Sequence, residues 1–378
     1  MLQIAVKQAS EKHHWQSGDG FRKGHMTGRG SGLPGRPTVK DVAELAGVST
    51  ATVSFVLSGK GGVTAAKVQR VRDAAKQLGY QSNKAARALR TGSTHSIVVI
   101  VPDIANPFYG EVVRGIDAVA QAAGADVLLC NANNDVERER QYLIRFARSD
   151  VAGIIYSPMS VTTAQDPEVR QAIAAGPPLI LVDEPLPDIG TASVGVDNED
   201  GARQVARHFA EIGCTTPAVI NGPRDMPTST VRANAFIDEA AKLGLPVGNR
   251  VAFAPIRTLS GISDGLEMLR DNPEVDCLFA GDDLLAALLM SELFKLGRSV
   301  PEDLAICGFD DIDWAQLLRP TLSSIHQPKM ELGSKACELL LTPSRLLDGT
   351  HEEVLPVTLV VRDSTAGFRS RTRLTRDA

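Results

Sequence analysis

Thr38–Leu57 reads TVKDVAELAGVSTATVSFVL, and its spacing decides how the rest of the chain is read. Thr38 can cap a helix through its hydroxyl, with Asp41 three residues on, in the first turn where negative charge is favoured. Val42, Leu45 and Ala46 then supply an apolar face. Gly47 and Val48 break this helix, Ser49 can cap a second, and Val53, Val56 and Leu57 fall on one side of it. After Lys60-Gly61-Gly62, Thr64 caps a third helix with Val68, Val71, Ala75 and Leu78 at helical spacing, closed by Gly79. Two short helices joined by a glycine-containing turn form a helix-turn-helix, which projects the first residues of its second helix into a DNA major groove. Here those residues are Thr50, Ala51, Thr52, Ser54 and Phe55. The hydroxyls can bond phosphates or base edges, and Ala51 and the threonine methyls can touch a thymine methyl.

Charge supports that reading. The 378 residues carry 40 Lys plus Arg against 45 Asp plus Glu, but residues 1–92 hold 15 basic and 5 acidic side chains, leaving 25 and 40 for the remainder. A basic head of net +10 on an acidic body of net −15 fits one module that meets a polyanion and a second that does something else. No apolar run approaches the roughly 18 residues of a membrane span, and the first 35 residues carry no signal-peptide pattern, so a cytoplasmic protein is expected. Those 35 residues are glycine-rich and expected to be disordered, with Met26 an alternative start. Cys130, Cys214, Cys277, Cys307 and Cys337 are odd in number and show no metal-ligand spacing, so they read as reduced, buried thiols with no metal or other cofactor.

From Ile97 onward short Val/Ile/Leu-rich runs alternate with amphipathic stretches: IVVIVPD, helix 109–123, VLLCNA, helix 135–148, GIIYSP and LILVDEP. The theme restarts with helix 199–213, AVING, helix 229–243, VAFAP, helix 260–271, CLFAGDD, helix 284–296 and AICGFDD. This βαβ alternation predicts two successive parallel-sheet α/β units. Ligands of such sheets collect at the carboxyl ends of the strands. There the sequence places Asp103, Asp183, Asp282, Asp283, Asp310 and Asp311, carboxylates suited to sugar hydroxyls, with Arg232 able to add a forked donor and Phe108 an apolar stacking face.

The quoted stretch, the following LGYQSNKAARALRTG (78–92), and the body segments IVVIVPDIANPFYGEVVRGID (97–117), GVDNEDGARQVARHF (195–209) and ICGFDD (306–311) together resemble the lactose-repressor, or LacI-type, family. The resemblance spans roughly residues 36–365 and implies a tail (1–35), a helix-turn-helix head (36–82), a hinge helix (83–92), a bilobed periplasmic-binding-protein-like body (93–365) and a second tail (366–378). It implies DNA contacts from Thr38, Thr50, Ala51, Thr52, Ser54, Phe55, Asn83, Ala86, Arg87 and Leu89, the leucine wedging into the minor groove. It also implies an effector cleft lined by Phe108, Arg232, Asp282 and Asp310, with Asp103, Asp183 and Gln327 in support. Two positions depart from the family: Phe55 stands where a polar reader is common, with packing against the third helix as its alternative role, and Asp282 where many relatives carry Asn.

The resulting expectation is a dimeric, effector-controlled DNA-binding regulator, a repressor whose cleft takes a neutral sugar or derivative. Several carboxylates in one cleft would repel a phosphorylated sugar. The sign of control, whether the effector induces or corepresses, stays open at this stage. An exported solute-binding protein would need an export signal. An α/β enzyme would need a catalytic set, and no P-loop or strand-to-helix G-x-G-x-x-G is present, while His95, His208, His326 and His351 stand isolated.

Overall fold

The computed structural model describes residues 37–57, 63–80, 96–186, 189, 192–254, 260–342 and 351–368, in two compact units that part between Arg87 and Ala88. The smaller unit consists of α1 (Val39–Ala46), α2 (Thr50–Leu57) and α3 (Ala65–Gln77). Thr38 and Asp41 form a capping box: the Asp41 carboxylate accepts from the Thr38 N–H at 2.6 Å and the Asp41 N–H donates to the Thr38 hydroxyl at 3.4 Å. Gly47 takes φ 62°, a left-handed turn that aims the chain into α2. The Ser49 hydroxyl then accepts from the Thr52 N–H at 3.2 Å.

Val42, Ala43, Ala46, Val53, Val56, Val71, Ala74 and Ala75 make the core of this unit. Leu45, expected on the apolar face of α1, is 47% exposed instead. With about 100° between successive residues, Val42, Ala46 and Ala43 span one arc, and Leu45 falls outside it on the Val42 side. Thr64 occupies the cap position of α3 but makes no side-chain cap bond; its carbonyl accepts from Lys67 and Val68.

The larger unit has two six-stranded sheets. In the first lobe β1 (Ser96–Val101), β2 (Asp126–Asn131), β3 (Gly153–Tyr156), β4 (Leu179–Val182), β5 (Ala192–Val196) and β11 (Glu352–Leu355) run in the order β11-β5-β4-β3-β1-β2, all parallel. In the second, β6 (Pro217–Asn221), β7 (Val251–Phe253), β8 (Cys277–Ala280), β9 (Ala305–Asp310), β10 (Ser323–His326) and β12 (Thr358–Val360) run β12-β10-β9-β8-β6-β7, with β12 alone antiparallel. The first lobe also holds α4 (Pro107–Ala122), α5 (Val136–Ala147), α6 (Val161–Gln165) and α7 (Pro167–Ala175). The second holds α8 (Asn198–Glu211), α9 (Pro227–Lys242), α10 (Ser263–Asp271) and α11 (Asp283–Lys295).

The two α/β units are therefore not successive along the chain, as the alternation of strands and helices had predicted. After β10 the chain returns to the first lobe as α12 (Lys329–Leu340), which packs along α4 and beneath β3, β4 and β5. It then forms β11 and crosses once more to β12. Three strands of chain, at Asp197, at Gln327-Pro328 and at Pro356-Val357, thus join the lobes. Order also extends past the expected boundary at residue 365, through Phe368, whose ring is buried in the hydrophobic core.

Helices α4 and α12 approach so closely that only glycine fits at two reciprocal points. A Cβ on Gly115 would lie 2.0 Å from the Met330 carbonyl oxygen, and one on Gly333 would lie 2.0 Å from that of Val112. Because both obstacles are backbone, no side-chain rotation relieves them. Gly333→Ala should destabilise the body by about 1–3 kcal/mol, read as a lowered urea midpoint; a midpoint equal to wild type would refute the close approach.

Candidate DNA-binding and effector sites

On the head, Thr50, Ala51 and Phe55 are exposed on α2, and Thr52 and Ser54 are half-buried beside them. Phe55 is 49% exposed and is not among the buried residues of the three-helix core. The Thr52 hydroxyl lies 2.9 Å from that of Ser49, which orients it within the turn. The Thr38 hydroxyl is engaged with Asp41 at 2.8 Å. The hinge positions Asn83, Ala86, Arg87 and Leu89 lie outside the described residues.

In the body, Arg232 on α9 is the centre of the cleft assignments. It is 7% exposed. Its Nε donates to Asn198 Oδ1 at 2.7 Å, one Nη donates to the Gly281 carbonyl at 2.8 Å, and the same Nη stands 3.9 Å from the Asp310 carboxylate. The guanidinium carbon lies 3.7 Å from the centroid of the Phe309 ring, a stacked cation–π contact. Gln327 Nε2 donates to Asp310 Oδ1 at 2.7 Å, while Gln327 Oε1 is buried with no hydrogen-bond partner. Arg232, Asp310 and Gln327 are thus one cluster at the carboxyl ends of the second sheet, joined to the first crossover through Asn198.

The other expected cleft residues divide by role. Asp282 caps α11, its Oδ1 accepting from the Leu285 N–H at 2.8 Å. Its neighbour Asp283 is buried under β9 and β10, where it accepts from Ser324 Oγ and the Ile312 N–H. Burial, reinforced by the charge of Asp310, pushes the Asp283 carboxyl well above the usual carboxylate range. Asp103 closes the β1 loop by accepting from the Ala105 N–H and from Asn134 Nδ2. The Phe108 ring sits edge-on to Tyr109 at 5.1 Å, 2% exposed, in the first-lobe core. Asp183, at φ 71°, faces a cavity of about 290 Å³ that Glu184, Asp197, Asn198 and Thr228 also line.

Glu184 was not singled out from the sequence, yet it ties the lobes together. Its carboxylate accepts from both the N–H and the hydroxyl of Thr228, at the start of α9. A second tie runs from Ser160 Oγ to Asp225 at 2.7 Å. Behind Ser160 the buried Glu139 accepts from the Met159 N–H and the Thr163 hydroxyl, and burial raises its carboxyl above the usual range.

All five cysteines are free and buried. Cys214, Asp276 and Cys277 bring their ligand atoms within 4.8 Å of one another. The Asp276 carboxylate already accepts from the N–H groups of Thr215 and Thr216, and burial pushes both thiols up, so this group presents protonated sulfur. His208 is a core residue bonded to Thr365 at 2.8 Å, and burial lowers its pKa. Among the described residues no helix is long and apolar enough to cross a membrane.

Residues 38–83 match the model of the lacI family of bacterial regulatory proteins, and residues 206–365 match a periplasmic binding protein-like domain. The chain is 33% identical over 332 residues to the ribose operon repressor of Halalkalibacterium halodurans, covering 87% of this chain and 97% of that protein. It is similar to the solved transcriptional regulator CelR–cellobiose complex, with TM-score 0.63, 29% identity, and coverage of 87% of this chain and 100% of that one. It shares its fold with the lac repressor dimer bound to operator, with TM-score 0.77, 24% identity, and coverage of 87% and 99%. A helix-turn-helix head, a bilobed body and a match over 87% of the chain at 33% identity have one explanation: the chain belongs to the lacI family of bacterial regulatory proteins.

Proposed function

We propose that the protein is a ligand-controlled transcription repressor that binds a palindromic operator as a dimer and answers to a neutral sugar or sugar derivative held between its lobes. The carrying observation is the buried Arg232 cluster of the second lobe, which joins Gly281 and Asp310 at its strand ends to Asn198 beside the first crossover. A forked donor beside several carboxylates is chemistry for a ligand rich in hydroxyls and free of negative charge. The family membership of the head supports DNA as the partner. The cellobiose in the CelR structure and the ribose in the name of the H. halodurans repressor support a sugar as the ligand class.

On the DNA side, Thr50, Ala51, Thr52, Ser54 and Phe55 form the reading surface, with Thr38 at the start of α1. Phe55 cannot donate to a base, so its contact is apolar and favours a thymine methyl. The hinge residues Asn83, Ala86, Arg87 and Leu89 fold on the operator, Leu89 supplying the minor-groove wedge. Twofold symmetry of the dimer matches the inverted repeat of the site. On the ligand side, Arg232, Asp310, Gln327 and Asp183 form the inner group, while Asp282, Asp103 and Phe108 hold the strand ends that shape it.

A binding selection on genomic fragments, run at one stated salt concentration with and without a panel containing D-ribose, cellobiose and other neutral sugars, tests the whole reading. Recovery of a palindromic site whose binding changes with one sugar is expected. Salt-dependent binding with no preferred site would reject it. Leu89→Ala should weaken binding to that site at least tenfold and leave sugar binding intact, as measured by calorimetry. Arg232→Lys keeps the charge but loses the fork; it should abolish the sugar response in an operator-binding titration and leave ligand-free operator affinity within twofold of wild type.

A further inference from the structure

Lys329 is a charged residue that the cleft described above does not use, and it stands where charge is least expected. It opens α12, where the helix dipole disfavours a cation, and it is 8% exposed. Its ammonium makes up for that position by giving its three donors to backbone: the carbonyls of Asp310 at 2.6 Å, Asp311 at 2.8 Å and Gln327 at 3.4 Å. The first two lie at the end of β9 in the second lobe, whereas α12 is packed into the first lobe along α4. The side chain therefore reaches across the crossover at Gln327-Pro328.

The turn it holds is strained. Asp310 has φ 109° and Asp311 φ 51°, a region that side chains other than glycine enter only when their surroundings fix them there. Those surroundings are few and specific. The Asp311 N–H donates to Ser324 Oγ at 3.0 Å, the Ile312 N–H donates to Asp283 Oδ2 at 2.8 Å, and the Asp311 carboxylate pairs with Arg362 at 2.6 Å and His326 at 2.9 Å. On the side of the first lobe, Lys329 supplies the fixing charge. The same twist of backbone points the Asp310 carboxylate at Gln327 Nε2 and Arg232.

We propose that Lys329 is a positioning residue for ligand binding: by clamping the Asp310-Asp311 carbonyls from the first lobe, it keeps the Asp310 carboxylate aligned with Arg232 and Gln327 and couples that alignment to lobe closure. The inference rests on the reading of the Arg232 cluster as the ligand site, and its test is arranged so that the two can fail separately. Removing the ammonium leaves two carbonyls of a strained turn without their donor while touching nothing on the head.

The test uses the full chain as wild type, Lys329→Met and Lys329→Arg, with amide hydrogen exchange and operator-binding titrations. Exchange needs no ligand. In Lys329→Met the Asp311 and Ile312 amides should exchange at least tenfold faster, with amides in β6 and β8 unchanged, and Lys329→Arg should restore most of the protection. Unchanged exchange at Asp311 and Ile312, or loss of protection throughout the second lobe, overturns the clamp. In titrations with D-ribose and with cellobiose, the half-response concentration of Lys329→Met should rise at least tenfold while ligand-free operator affinity stays within twofold. A response equal to wild type in a variant whose turn is loosened confines Lys329 to the hinge and overturns its role in ligand binding. A wild type that answers to neither of these two sugars counts against a cleft for them, while the exchange result still decides the clamp.

Discussion

A guanidinium cannot be buried alone, and the body of this protein is arranged around that constraint. Desolvating Arg232 would cost several kcal/mol unless acceptors surrounded it. The acceptors come from three places distant in sequence: Asn198 at the first crossover, the Gly281 carbonyl at the end of β8 and Asp310 at the end of β9. Phe309 supplies the flat face on which the fork stacks. Each of these partners is at a strand end of the second lobe or beside a crossover, so the charge is held where the chain passes between the lobes.

The lobe contacts are few enough for the lobes to move. The tie between Glu184 and Thr228 and the tie between Ser160 and Asp225 are hydrogen bonds to charged acceptors, each tie contributing roughly 1.5–3 kcal/mol net. Together, at roughly 3–6 kcal/mol, they favour this arrangement by about two to four powers of ten, a bias within the range a tightly held ligand can match. The crossovers limit the motion to a hinge, because three separate strands of chain must bend together. A ligand between the lobes then acts only through its different affinity for the two arrangements, and whatever it does to the DNA-bound state is returned reciprocally in its own affinity.

How much of this was legible in the sequence depended on the range of the interaction. Helix caps act over three residues, and the Thr38/Asp41 box, the Gly47 turn and the placement of α1 and α2 could all be read directly. Strand ends could be read as well, since an apolar run followed by Asp marks the place where a parallel strand stops. What the pattern could not say is which sheet a strand joins. The return of α12 and β11 to the first lobe rests on contacts such as Gly333 against Val112, more than 200 residues apart, and a glycine in a helix carries no label for its partner. Nor could it say which of two adjacent acids does what. In Asp183-Glu184 both side chains line the cavity but Glu184 also ties the lobes, and in Asp282-Asp283, both buried, the first caps a helix while the second bonds to Ser324 and Ile312.

The same arithmetic bears on what kind of ligand the cleft can hold. Asp183, Glu184, Asp197 and Glu199 line the cavity, and Asp310 stands 3.9 Å from the guanidinium of Arg232 at the strand ends of the second sheet. That guanidinium is already committed to Asn198 and Gly281, so only part of its fork is available to a guest. A dianion would face uncompensated like charge at a low effective dielectric, where each near pair costs on the order of a few kcal/mol. Hydroxyls face no such cost, because each can donate to a carboxylate and accept from the free edge of the fork. On the proposed reading of the site, its carboxylates disfavour phosphorylated sugars by repulsion.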